Sequence, residues 1–364
     1  MKVALVHYWL TGMRGGEKVL EALCELFPGA HIYTHVCLPE RLSSTLLRHK
    51  ISTTFVSRLP FASRWYKAYL PFMPMALESL DLTDYDLVIS SESGPAKGVI
   101  TRPDALHVCY CHSPMRYIWD LKDAYRQEMT RAGRFLFSPV AHYLRLADVI
   151  AAARVDAFIA NSTFVQARIR KFYRRESEVI HPPVDTDFFS PSKATPGEYY
   201  LVAGQLVEYK KVRLAVAACT ELGLPLIVAG EGPDLSRLQT QAGPTVRFAG
   251  RVDNDELRRL MRGCKALIFP GIEDFGIVPV EAMACGKPVI AFRQGGVLDS
   301  VVDGRTGVLF DVQDVSALHD ALTAFEAGGS AFESEEIRAH AMRFDKAVFR
   351  EKMMNCLRKA GWAG

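Results

Sequence analysis

The chain has 364 residues, too many for one ordinary hydrophobic core, so two domains of about 150–200 residues each are expected. It is 49% hydrophobic and 23% charged, with no low-complexity tract and no short repeat, which excludes disordered, fibrous and solenoid proteins. Net charge is only +3, but it is unevenly placed. The stretch Arg41–Leu77 holds six basic residues and no acidic one, and Arg116–Arg175 carries twelve basic against five acidic residues. Such stretches attract phosphates, anionic lipid or nucleic acid, although a solvated helix surface has the same composition. No recognition helix or stacking motif accompanies them, so nucleic acid is not an expected partner. The first residues run straight into a strand pattern, and no uninterrupted apolar run reaches the roughly 18 residues of a membrane span. Eight scattered cysteines suit a reducing compartment, and the expected location is the cytoplasm.

Short apolar runs alternate with helix-length segments, the pattern of βαβ units on a parallel sheet. In the first half, strands are predicted at Val3–Val6, Leu87–Ser90, Ala105–Cys111 and Ala157–Ala160. After the first strand comes Gly12-Met-Arg-Gly-Gly-Glu-Lys18, in which Gly15 and Gly16 permit a tight turn and close approach of a ligand. The G-x-G-x-x-G spacing is absent, which argues against a nicotinamide oxidoreductase. The segment Arg58–Met73 interleaves aromatic and basic residues, as segments at a membrane interface do; core packing of the rings is the alternative.

His107-Val-Cys-Tyr-Cys-His112 has the look of a metal cluster. On a strand, however, residues 107, 109 and 111 share one face while His112 points to the other, and no second cluster with zinc-like spacing follows. The pairs Asp84/Asp86, Asp185/Asp187 and Asp253/Asp255 all have turn or capping explanations, so no metal is expected. The proline-rich stretch His181–Gly197 is the predicted linker.

Beyond it, strands are predicted at Tyr199–Ala203, Pro225–Ala229, Val246–Ala249, Ala266–Phe269 and Val289–Ala291, with a final helix from about Asp345 to Leu357. The expected architecture is α/β, two Rossmann-like domains facing each other across a cleft. The expected bounds are 1–184 and 185–344, with the helix near 345–364 packing back on the first domain.

After the strand ending at Phe269, the loop of Pro270, Gly271 and Gly276 lies where open α/β sheets bind ligands. Pro279 suits the first turn of a helix that Gly286 and Pro288 end. Backbone N–H groups around Gly276–Val278 can face an anion. Glu281, expected in the first helical turn, can accept hydrogen bonds from a ribose diol, or simply complement the helix dipole. Glu273, before the loop, can reach a different part of the same ligand.

The run Glu273-x7-Glu281 followed by Ala-Met-Ala-Cys-Gly-Lys-Pro-Val-Ile-Ala291 resembles the signature of the retaining family 4 glycosyltransferases, which have the GT-B fold. Gly15-Gly16-Glu17, Ala160-Asn-Ser162, Val184-Asp185, Gly204-x-Leu206 before Lys210-Lys211, Gly230-Glu-Gly232-Pro233, Gly250-Arg-Val252, Gly295-Gly296 and Asp303-Gly304-x-Thr306-Gly307 match in the same order. The resemblance covers nearly the whole chain.

It implies that Glu273 holds a hydroxyl of a donor sugar, and that Phe275, Gly276 and Ile277 present backbone to sugar and pyrophosphate. Glu281 would bind the ribose, Lys210 the diphosphate, and Arg251 and Val252 would flank the base. Taken alone, Lys210 and Lys211 read as surface lysines. The loop of Gly15 and Gly16 would face donor phosphate and acceptor. His112, in the family's strand-end loop, would reach the transferred sugar; a structural histidine is the alternative. Gln205 stands where many relatives have Arg, so Lys211 either compensates or leaving-group stabilisation is weaker. Asp299 stands where relatives usually have Glu.

The implied activity is metal-independent transfer of a hexosyl unit, with retention, from a nucleoside diphosphate sugar to a saccharide or polyprenyl-diphosphate-linked saccharide. No cofactor is needed. Tyr110–Tyr117 and Leu206–Val212 are most similar to the bacterial O-antigen and exopolysaccharide mannosyltransferase branch, which implies GDP-mannose as donor and a role in cell-surface polysaccharide synthesis at the inner membrane face. A hydrolysing sugar-nucleotide epimerase and a non-catalytic sugar-nucleotide sensor are the competing readings.

Overall fold

Runs of two to six mostly apolar residues form the strands of two parallel sheets in the computed structural model, which describes residues 1–127, 129–192, 197–328 and 332–363. The first sheet contains β1 (Val3–His7), β2 (His31–Thr34), β3 (Ile51–Thr53), β4 (Leu87–Glu92), β5 (Leu106–Cys111), β6 (Ala157–Ala160) and β7 (Glu178–Val179), in the order β3-β2-β1-β4-β5-β6-β7. The second contains β8 (Tyr200–Ala203), β9 (Leu226–Ala229), β10 (Val246–Gly250), β11 (Leu267–Phe269), β12 (Val289–Phe292) and β13 (Gly307–Phe310), in the order β10-β9-β8-β11-β12-β13. Residues 1–183 with 349–364 form one unit, and residues 184–348 the other.

Helices cover both faces of each sheet, so the central strands are apolar along most of their length instead of alternating, with polar residues such as His7, Ser91 and Glu92 at their carboxyl ends. Every residue of β1, β4 and β8 is buried. Alternate residues still serve different cores: Val3 and Leu5 join one cluster, Ala4 and Val6 another.

The last helix, Lys346–Lys359, carries Phe349, Met353, Cys356 and Leu357 at spacings of four, three and one, and all four enter the core of the first unit. The Phe349 ring lies 6.0 Å from that of Tyr110 on β5. The same helix is tied at its surface by Arg350 to Glu25 and by Lys359 to Glu178.

The proline-rich stretch predicted as a linker is largely packed. Val184 donates its N–H to Phe344 at 2.9 Å, and the Thr186 hydroxyl donates to Asp345 at 2.6 Å. Phe189 is buried in the core of the second unit. Proline stops regular structure, but the apolar side chains between the prolines are still driven into a core. Residues 193–196 of that stretch lie outside the described residues.

Phe349→Ala is expected to destabilise the first unit by about 3–5 kcal/mol, the usual cost of emptying a buried phenylalanine site. Hydrogen exchange should show lost protection in β1 and β5 and unchanged protection in β8 and β11.

Candidate active site

In the second unit β8 is the first strand in the chain and lies inside the sheet, with β9 and β10 on one side and β11 to β13 on the other. The winding reverses between β8 and β11, and at such a switch point the carboxyl ends of the strands leave a crevice. Lys210 follows β8 and Glu273 follows β11, and their side chains meet across this point with Nζ 2.8 Å from Oε1. The contact is a close ion pair outside hydrogen-bonding alignment, since Oε1 is buried without an aligned donor. The side chains are 18% and 22% exposed, so a ligand can reach both. Gln205 lines the same recess, with Gly204, Phe269, Pro270 and Gly271.

Glycine is what lets these loops touch. A Cβ on Gly271 would sit 2.6 Å from the Lys210 Cα and 2.8 Å from its carbonyl oxygen, closer than real atoms approach. From the loop after β12, the Gly296 N–H donates to the Glu273 carbonyl at 2.9 Å, and a Cβ on Gly296 would lie 2.1 Å from the Asp274 oxygen.

Phe275 anchors the Glu273 loop from below, buried and 5.7 Å from the Phe344 ring. Gly276 has φ +86°, a left-handed conformation that turns the chain into the helix Ile277–Ala284. The first-turn N–H groups of that helix, from Ile277 onward, have no intrahelical acceptor. The helix starts two residues before Pro279, so Glu281 is its fifth residue and not in its first turn. Glu281 is also 2% exposed, and dipole complementarity fades past the first turn, so that simpler account of Glu281 weakens.

Three predicted residues stand apart from the pair. Lys211 adopts a left-handed φ of +51°, and its Nζ is held 2.8 Å from Glu208. Its charge is therefore matched by Glu208, and the structure does not bring it to the recess of Lys210 and Gln205. The hydrogen bond from Lys211, with Arg213 and Arg237 nearby, in turn holds the Glu208 carboxyl below its usual range. Arg251 and Val252 follow β10 and line an open recess with Arg247, Phe248 and Glu256. Three strand spacings, about 14 Å, separate β10 from β11.

In the first unit β1 is the first strand in the chain and the winding reverses between β1 and β4. His7 ends β1 in register with Ser91 near the end of β4, and His112 follows β5. The His7 Nδ1 lies 3.0 Å from the Ser91 hydroxyl, which lies 2.8 Å from the His112 Nε2. Glu17, whose carboxylate accepts the Arg14 N–H at 3.0 Å, comes within 3.9 Å of the His7 Nε2. Gly15 and Gly16 open the helix Gly15–Leu26 beside this row, and a Cβ on Gly16 would strike the Tyr8 hydroxyl at 2.5 Å. Burial lowers the His112 pKa to about 3, with His7 adding to the effect, so its ring is neutral and can exchange hydrogen bonds with a hydroxyl. His7, Ser91 and Glu17 as one row were missed from the sequence; the polar residues closing apolar strands, His7 and Ser91, were the available signal.

Below the row lies a buried ionic group. Lys97 bonds to Glu92 and Asp148, and Asp148 also accepts from the Trp119 Nε1 at 2.8 Å and the Tyr173 hydroxyl at 2.9 Å. The Glu92 carbonyl accepts the His112 N–H at 2.7 Å, so the group braces the strand ends that carry the histidine. Among the described residues no three or more His, Cys, Asp or Glu side chains are grouped to hold a metal ion. His107 bonds to Ser90, while Cys109 and Cys111 are packed in a core.

Two Rossmann-like units on parallel sheets, each with polar groups at its carboxyl switch point, define the class as the GT-B fold. Two family models match, Glycosyltransferase Family 4 over residues 13–188 and Glycosyl transferases group 1 over residues 183–342. The chain belongs to the family 4 type of glycosyltransferases.

It is similar to an uncharacterized glycosyltransferase of Methanocaldococcus jannaschii, 26% identical over 215 residues that make up 56% of this chain and 58% of that one. It is also similar to the D-inositol 3-phosphate glycosyltransferase of Acidothermus cellulolyticus, 31% identical over 235 residues, 54% of this chain and 51% of that one. The chain thus spans between 51% and 58% of the length of these two curated relatives. Anabaena HepE in complex with UDP-glucose matches with a TM-score of 0.73 over 99% of this chain and 100% of that one, at 18% identity, a likeness of fold alone.

Burial also lowers His35 to about 4 and His107 to about 3. Below the ordinary histidine value of 6.5 the unfolded chain binds protons that these rings refuse in the fold. Stability present above that value should therefore fall as pH drops towards 4, by about 1.4 kcal/mol per pH unit for each of the three histidines. Urea unfolding between about pH 7 and 5 measures the slope, and His112→Asn should make it shallower by one proton.

Proposed function

We propose that the protein transfers a hexosyl unit from a nucleoside diphosphate sugar to a saccharide or lipid-linked saccharide, with retention at the anomeric carbon. The observation that carries this reading is the Lys210–Glu273 pair at the switch point of the second sheet. Before donor binds, the ammonium and the carboxylate neutralise each other. A bound donor offers each a better-matched partner, diphosphate for Lys210 and a sugar hydroxyl for Glu273. The first-turn amides of the helix Ile277–Ala284 add backbone donors to the anion.

In the step itself the bond from the anomeric carbon to the diphosphate oxygen breaks, and the acceptor oxygen bonds to that carbon on the same face. The acceptor's hydroxyl proton passes to the departing phosphate. Lys210 stabilises the charge that grows on the leaving group, the one place where a fixed cation favours the transition state over the bound donor. Gln205 adds a hydrogen bond there without charge, so Lys210 carries more of the work. In the first unit, neutral His112, its ring oriented by Ser91, is available to exchange hydrogen bonds with a sugar hydroxyl.

GDP-mannose is the donor we favour, on the likeness of Tyr110–Tyr117 and Leu206–Val212 to the polysaccharide mannosyltransferase branch. UDP-glucose is the competing donor, because Anabaena HepE binds it. The chemistry proposed needs no metal or cofactor. The acceptor class is a polyprenyl-diphosphate-linked saccharide of cell-surface polysaccharide synthesis.

The test is a panel of labelled nucleotide sugars incubated with membrane lipid extract. Incorporation from one donor is expected, with Lys210→Met lowering its rate by about 10²–10³-fold. Equal incorporation by the native protein and Glu273→Ala would remove Glu273 from the mechanism. Release of free nucleoside diphosphate without any incorporation would point to the hydrolysing epimerase, and donor binding without turnover to a sensor.

A further inference from the structure

We propose that the first unit docks on an anionic phospholipid bilayer through the outer face of the helix Arg131–Ala153 and the neighbouring segment Phe61–Met75. This deepens the lipid-linked acceptor reading above and can be tested without any nucleotide sugar, so its failure would leave the transfer reaction standing.

The helix shows the first evidence. Phe135, Leu136, Tyr143, Leu146, Val149 and Ile150 are 41–82% exposed. Their spacing brings them to one side of the helix, in a stripe about 22 Å long. The other exposed residues from 135 to 153 are Ser138, Pro139, His142 and Ala153, so the stripe carries no Lys, Arg, Asp or Glu. The two charged residues in this stretch turn inward. Arg145 donates to the Ile118 carbonyl, and Asp148 belongs to the buried group around Lys97.

By length and composition the helix could cross a membrane. Its inner face is nevertheless committed, since Ala141 and Leu144 pack with Met115 and Ile118 in the first unit's interior. A helix with one face in a protein core and the other fully apolar lies in an interface plane and does not span it.

The segment Phe61–Met75 supplies the charge that selects the occupant. Leu70 joins the cluster under the helix, so the two elements adjoin. Phe61, Trp65, Phe72 and Met75 are 48–70% exposed. Phe61 also holds a left-handed φ of +53°, a strained conformation for a residue whose ring faces solvent. Arg58, Arg64 and Lys67 are exposed among these rings, and none has a carboxylate within ion-pair distance among the described residues. Unmatched cations beside exposed aromatic rings suit anionic headgroups above an acyl boundary. A second copy of this face would set those cations against each other.

The test is sedimentation of the intact protein with vesicles of phosphatidylglycerol and phosphatidylcholine, against phosphatidylcholine alone. Binding is expected to the anionic vesicles and to weaken with salt. Arg64→Glu with Lys67→Glu should lower partitioning by about thirtyfold or more. Leu146→Glu with Ile150→Glu should lower it by about tenfold or more. All four positions are exposed, so unfolding transitions should match the native protein's. A readout on the native protein is quenching of its tryptophan fluorescence by brominated acyl chains, and the conservative exchange of the exposed ring in Trp65→Phe should lower it. Absent sedimentation, or sedimentation indifferent to both double variants, overturns the proposal. So does a native dimer that Leu146→Glu with Ile150→Glu converts to monomer, which would make the stripe a contact between copies.

Discussion

Each sheet starts with an inner strand, β1 in one and β8 in the other, and winds outward to one side before it winds to the other. That reversal is the constraint on which the rest depends. Connections leaving the first strand and the strand added across from it depart in opposite directions, so no loop closes over the gap between their carboxyl ends. Polar groups stand at those gaps. Lys210 and Glu273 follow the two strands bordering the second gap, and His7 and Ser91 end the two strands bordering the first.

Backbone contact, more than side-chain packing, fixes the second site. Gly271 lies against the Lys210 backbone, and Gly296 against Asp274 and Phe275, so three loops from three strands are stacked with no room for a Cβ. The ion pair inherits its position from that stack. A pair this little exposed is costly to desolvate and contributes modestly to stability on its own account. In the proposed reaction its value lies in holding an ammonium and a carboxylate ready to exchange partners with a diphosphate and a sugar.

The first unit uses buried charge differently. Burial works against the Lys97 ammonium, but Asp148 and Glu92 together hold its proton well above the ordinary lysine range. Desolvation, only partly offset by Lys97, pushes the Glu92 carboxyl up. Because Glu92 ends β4 and Asp148 lies on the helix Arg131–Ala153, this group ties the strand end beside Ser91 to the helix with the apolar outer face. The same residue thus braces a site and fixes which side of that helix is left outward.

Much was legible without coordinates. The runs at β1, β4, β5 and β6, and those at β8 to β12, announce themselves as short, mainly apolar stretches, most of them buried on both faces. The strands β2, β3 and β7 do not, since His31, Ser52 and Glu178 make them read as loop, and β13 went unpredicted although Gly307–Phe310 is an apolar run. The Glu273–Glu281 segment could be read as a strand, loop and helix, because glycine and proline punctuate it through local backbone chemistry. Whether a lysine 63 residues earlier meets Glu273, or its neighbour Lys211 turns to Glu208, depends on strand order and loop contact. The row from Glu17 through His7 and Ser91 to His112, and the outward stripe on the helix Arg131–Ala153, depend on them too. Residue type and spacing determine local structure through short-range sterics and periodic burial. Partnership between distant side chains was decided only by the tertiary fold, because local residue type and spacing do not reveal which strand ends the sheet brings together.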